Sequence, residues 1–127
     1  MLKKSIFICV LIISFLSCIQ TPANLKDENG QFISRNGQIN IHHDALAKEL
    51  FYPSLKYLAD DLGANIVHSS KTRLSMRGKL ANGYAISIKI TQRLDNVCEI
   101  RIYSSKHGRP DDALSEQVAT GLLSKLM

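Results

Sequence analysis

The chain predicts an α+β domain, an antiparallel sheet of four to five strands with two helices packed on one face. Three observations lead there. Residues 74–102 alternate apolar and polar side chains in three runs separated by turn signals, as antiparallel strands with one dry and one wet face do. Residues 44–63 and 111–126 instead repeat apolar residues every three or four positions, the pattern of a helix with a single apolar stripe. Each element then has one apolar face, and the economical way to bury all of them puts both helices on the same side of the sheet.

The elements follow in order. "QFISRNGQINI" has two short apolar pieces around Asn36-Gly37, a pair that accepts positive φ at both positions and so favours a tight hairpin. A hairpin there and a single strand over Gln38 to His42 are both open. The first helix carries Leu46, Leu50, Phe51, Leu55, Leu58 and Leu62 on one stripe, with Asp44 as N-cap and Gly63 just past the end. Pro53 removes a backbone donor in mid-pattern and should kink or split this helix. "ANIVHSS" gives a short strand.

A three-strand meander comes next. Leu74, Met76, Gly78 and Leu80 point one way, as do Tyr84, Ile86, Ile88 and Ile90, and then Cys98, Ile100 and Ile102. Asn82-Gly83 and Asp95-Asn96 turn the chain between them. Gly108 and Pro110 make a loop, and Asp111 or Asp112 caps a last helix bearing Leu114, Val118, Leu122 and Leu126. The expected order is β-α-β-β-β-β-α.

The N-terminus has a different character. Lys3 and Lys4 precede an uncharged apolar run from Ile6 to Leu16. A membrane-spanning helix needs about 20 such residues, so the run has the length of a signal-peptide core. It ends in Phe15-Leu16-Ser17-Cys18, which resembles the lipobox of bacterial lipoproteins. In that family cleavage before the Cys follows thioether attachment of a diacylglyceryl group, and the freed amine takes a further acyl chain. Two or more chains are what stable anchoring requires.

The expected organisation is a signal peptide over 1–17, a lipidated Cys18 with a flexible tether over 18–31, and one α+β domain over 32–127. Ile19, where an Asp would favour inner-membrane retention, points to the outer membrane, with the domain facing the periplasm. Removing the signal lowers the formal charge from +5 to +3. That charge is dispersed along the chain and is no nucleic-acid footprint. Cys9 leaves with the signal and Cys18 carries lipid. Cys98 alone then remains, on the apolar side of its strand, where it should be buried.

Over residues 38–127 the succession of helix, Leu-Gly, strand, "RGKLANGYAISIKI", "VCEIRIYSS" and closing helix resembles a family of small bacterial lipoproteins that share a domain of unknown function. Its members also carry a lipobox, a pattern like "A…L..LG..I" and a hairpin like "G.L..G..V.I.I". The chain departs from it at Pro53 and at His42-His43. The family has no established catalytic residues, so the resemblance implies none here.

Candidate sites are few. Adjacent His42 and His43 diverge on a strand or a helix, and no His or Cys spacing matches a metal site. There is no GxSxG, and "RGKLANG" lacks the P-loop spacing. No cofactor, metal or catalytic residue is expected. The polar face of the meander is basic, with Arg73, Arg77, Lys79, Lys89 and Arg101. An ordinary solvated sheet face explains this simply; docking of an envelope protein partner or of anionic lipid is the sharper explanation. The expected protein is therefore a non-enzymatic binding or scaffolding lipoprotein of an envelope or secretion assembly. The alternative is a small periplasmic ligand-binding domain or enzyme using a cleft between helices and sheet.

Overall fold

The computed structural model describes residues 34–126. The expected signal peptide, Cys18 and the tether lie outside the described residues. Strand β1 (Gln38–His43) leads to helix α1 (Ala47–Lys56), which runs into a π-helical turn (Tyr57–Asp61). Strands β2 (Asn65–Ser70), β3 (Ser75–Lys79), β4 (Tyr84–Leu94) and β5 (Val97–Lys106) follow, then a two-residue β6 (Arg109–Pro110) and helix α2 (Asp112–Leu126). The sheet is antiparallel in the order β1-β5-β4-β3-β2, and β6 pairs with β5 beyond the end of β1. The fold is α+β, as expected, with one more short strand than the pattern shows.

The core lies on one face of the sheet. Ile39 and Ile41 of β1, Met76 of β3, Ile86, Ile88 and Ile90 of β4, and Cys98, Ile100 and Ile102 of β5 all point into it. Leu50, Phe51 and Leu58 meet them from the α1 segment, and Val118, Ala119 and Leu122 from α2. Cys98 is fully buried, its thiol near the His43 carbonyl at 3.5 Å. Burial pushes that thiol's pKa up, since the charged form would lose its water.

Asn36-Gly37 is a true turn. Both residues have positive φ (53° and 78°), and Arg35 and Gln38 exchange two backbone hydrogen bonds of 3.0 Å. His107-Gly108 repeats the device (51° and 79°) and makes a hairpin of what the sequence suggested was a loop. Gly63, at φ 68°, ends the π turn in the left-handed conformation expected of it.

The start of α1 departs from expectation. Asp44 is not the N-cap; β1 continues to His43, the chain bends through Asp44 and Ala45, and Leu46 occupies the cap with no side-chain bond. The open donor of Ala47 is met instead by the Gln92 side-chain oxygen of β4 at 2.7 Å, a partner distant in sequence. Pro53 does not split the helix: the α-helix passes through it, and Pro53 is exposed. The change of geometry comes four residues later, where Leu62 donates to Tyr57 across a π turn.

At the C-terminal end Asp111 is the cap, accepting from Leu114 N–H at 3.0 Å. Asp61 pairs with Lys125 in the last turn of α2 at 3.2 Å. Gly121 of α2 faces Tyr57, and a Cβ there would overlap the phenol oxygen. Burial, and then the Asp61 carboxylate, push the Tyr57 phenol's pKa up.

Gly121→Ala therefore destabilises the protein by roughly 1–3 kcal/mol, although Ala is the better helix former by about 1 kcal/mol. Urea unfolding measures this, and Tyr57→Phe in the same chain recovers part of the loss by removing the nearest atom. A neutral or stabilising Gly121→Ala contradicts the close approach.

Candidate functional site: the uncovered sheet face

With both helices on one side, the other face of the sheet is left bare by every described element. The strand register assembles it in rows. Gln38, Tyr103, Ser87, Arg77 and His68 lie side by side across all five long strands. The next row is Asn40, Arg101, Lys89, Ser75 and Ser70. Lys79 sits two residues from Arg77 on the same side, and Glu99 is flanked by His42 and Thr91 in a third row.

Four of the five basic residues singled out in the sequence are thus brought onto one surface: Arg77, Lys79, Lys89 and Arg101. Arg73 is not in the strand. It lies in the turn between β2 and β3, where its N–H donates to the Ser70 hydroxyl at 3.2 Å. The alternation that seemed to start at Arg73 starts two residues later, because Leu74 adopts a positive φ and closes the turn.

Glu99 is the one carboxylate on this face among the described residues, and sequence reasoning gave it no role. Arg93 donates to both its oxygens at 3.2 Å, Arg101 reaches it at 3.4 Å, and His42 stands 3.7 Å away. Arg93 gets there because the register slips between Gln92 and Leu94, a β-bulge in β4. Alternation foretold the outward direction of Glu99; nothing in the sequence foretold the bulge. Arg77, Lys79 and Lys89 have no ion-pair partner among the described residues. Arg77 and Lys89, with Arg101, border a shallow, open depression of about 280 Å³, which Ser75, Ser87, Tyr103 and His68 also line. It can offer cations and hydroxyl donors to an anion, and it has no enclosing wall. Among the described residues no three His, Cys, Asp or Glu side chains gather closely enough to hold a metal ion.

A second polar feature lies where the described chain begins. Gly37 N–H donates to Asp112 Oδ1 at 2.6 Å, Ser34 N–H to Glu116 at 3.2 Å, and the Ser34 hydroxyl to the Asp112 carbonyl at 3.1 Å. The buried Ser115 hydroxyl donates to the Gly37 carbonyl and contacts that of Ser104, which donates to Asp111 O at 2.8 Å. Residues 34–37 are thereby fastened to the start of α2. The chain matches no model of a known protein family, and no match to it is found among characterised proteins.

The Gly37 N–H, donating to the carboxylate, holds the Asp112 carboxyl's pKa below its ordinary value. A carboxyl depressed in the folded state adds stability above its unfolded pKa, about 3.9. That stability is lost as pH falls through the lower native value. Asp112→Asn therefore narrows the drop in urea midpoint between neutral pH and about pH 3. An unchanged drop contradicts the fastening role of this carboxylate.

Proposed function

We propose that the protein is a lipid-anchored lipoprotein of the bacterial envelope, joined to the membrane through Cys18. On this reading it is a non-enzymatic binding or scaffolding component of an envelope or secretion assembly, seated at the outer membrane and facing the periplasm. The anchor rests on the charged start, short apolar run and lipobox-like Phe15-Leu16-Ser17-Cys18, and the proposal groups the chain with the small lipoproteins it resembles.

The single observation that carries the binding role is the bare sheet face. It presents Arg77 and Lys89 around an open depression, with Lys79 two residues from Arg77, and none of the three has a carboxylate partner among the described residues. An open basic surface suits contact with another surface better than enclosure of a substrate, since small-molecule sites are concave and mostly apolar.

A ligand-binding domain or enzyme using a cleft between helices and sheet has one feature in its favour. A hollow of about 320 Å³ lies between α2 and the β3–β4 turn, lined by Leu80, Tyr84, Asp111, Ala113, Leu114 and Gln117. Its one carboxylate, Asp111, is already engaged in capping α2, which makes this the weaker reading.

Metabolic labelling with a fatty-acid analogue tests the anchor. The wild-type chain incorporates the label and Cys18→Ala does not. Equal labelling of the two places the acyl group elsewhere and removes the lipoprotein reading.

A further inference from the structure

We infer that the bare sheet face docks on the anionic headgroups of the membrane to which the chain is tethered, so that the domain lies sheet-down and helix-up. This inference deepens the proposed function and rests on its membrane attachment.

The charges are sorted between the two layers. The sheet face carries Arg77, Lys79, Lys89, Arg93 and Arg101 against Glu99. The α1 segment, with its π turn, and α2 carry Glu49, Asp60, Asp61, Asp112 and Glu116 against Lys48, Lys56 and Lys125. One side of the domain is attracted to an anionic surface and the other is repelled by it. The attraction amounts to roughly fivefold in affinity for each Lys or Arg held near the headgroups.

Glu99 sets the boundary of the patch. It occupies Arg93 and Arg101 at the β1 side and leaves Arg77, Lys79 and Lys89 on β3 and β4 available.

The chemistry of the face favours headgroups over an acidic protein. Stable protein interfaces are built around buried apolar or aromatic anchors. The exposed large apolar side chains here are Leu46, Tyr52, Val67 and Leu94. They are the N-cap of α1, a residue of α1, a residue of the β2 edge strand and the last residue of β4. The aromatic among the central cations is the half-buried Tyr103; its hydroxyl, with Ser75, Ser87 and His68, supplies donors suited to phosphate oxygens.

Chain length permits the arrangement. The sixteen residue steps from Cys18 to Ser34 reach at most about 55 Å, against a radius of gyration of about 12 Å for a domain of this size. Attachment at Cys18 thus leaves either face free to turn to the membrane, and the charges decide between them.

Amine footprinting of the full chain tests the orientation. The protein is reconstituted with vesicles of phosphatidylcholine alone, or of equal parts phosphatidylcholine and phosphatidylglycerol. Flotation reports attachment, and an amine-acylating reagent reports the exposure of each lysine. Lys79 and Lys89 should react about threefold or more slowly on the anionic vesicles, while Lys48 and Lys56 of α1 react alike on both. High salt removes the difference. Arg77→Glu with Lys89→Glu removes it at Lys79; both side chains are exposed, so the fold is retained.

Flotation on both vesicles with equal labelling of all four lysines overturns the orientation and leaves the anchor standing. Flotation on anionic vesicles alone, with Lys79 and Lys89 protected, supports the orientation and overturns the anchor. Absence of protection on vesicles together with protection in native envelopes assigns the face to a protein and overturns the lipid proposal.

Discussion

The structure depends on β5 having two unlike sides. Cys98, Ile100, Ile102 and Ser104 face inward and are wholly buried, while Glu99, Arg101, Tyr103 and Ser105 face outward. β5 pairs along its length with β4, and with β1 and then β6 on its other side. Fully burying an apolar side chain contributes about 1.5–3 kcal/mol, so a one-residue slip, which would turn the isoleucines outward, is heavily disfavoured. Both helices are drawn to the same apolar side. Among the described residues no further helix is left to cover the other face. Most of its solubility comes from positive charge, which is what makes it a candidate surface for an anionic partner.

The polar seam at Gly37 complements this core. Ser104 and Ser115 are fully buried, and both hydroxyls are engaged. Buried polar groups are costly unless paired, and here the pairing joins the entry of β1, the end of β5 and the first turn of α2. The segment that begins at Ser34 is thus held by three elements at once. This seam and the basic face are separate features of the domain.

Much of this was legible in the chain. Period-two alternation marked β3, β4 and β5 because each has one dry side, and Asn82-Gly83 marked the turn between the first two because both residues accept positive φ. The buried Cys98 and the grouping of Arg77, Lys79, Lys89 and Arg101 followed from the same period. What escaped depends on contacts between distant residues or on elements too short for a period. The two residues of β6 carry no pattern. The α1 donor that Asp44 was expected to cap is met by Gln92, 45 positions away. Arg93 reaches Glu99 through a bulge, and Arg73 falls in a turn because Leu74 takes a positive φ. Gly121 is the gap in α2 that admits Tyr57, a contact between residues 64 positions apart.

The central claim is that the bare sheet face is where this protein meets the envelope. Placing a photo-crosslinking side chain in living cells tests it most directly, at Ser87 in the middle of that face and at Gln117 on the exposed side of α2. The account predicts envelope adducts from Ser87 and none from Gln117, with the Ser87 adduct lost when Arg77 and Lys89 are reversed in charge. Adducts from Gln117 with none from Ser87 would contradict it.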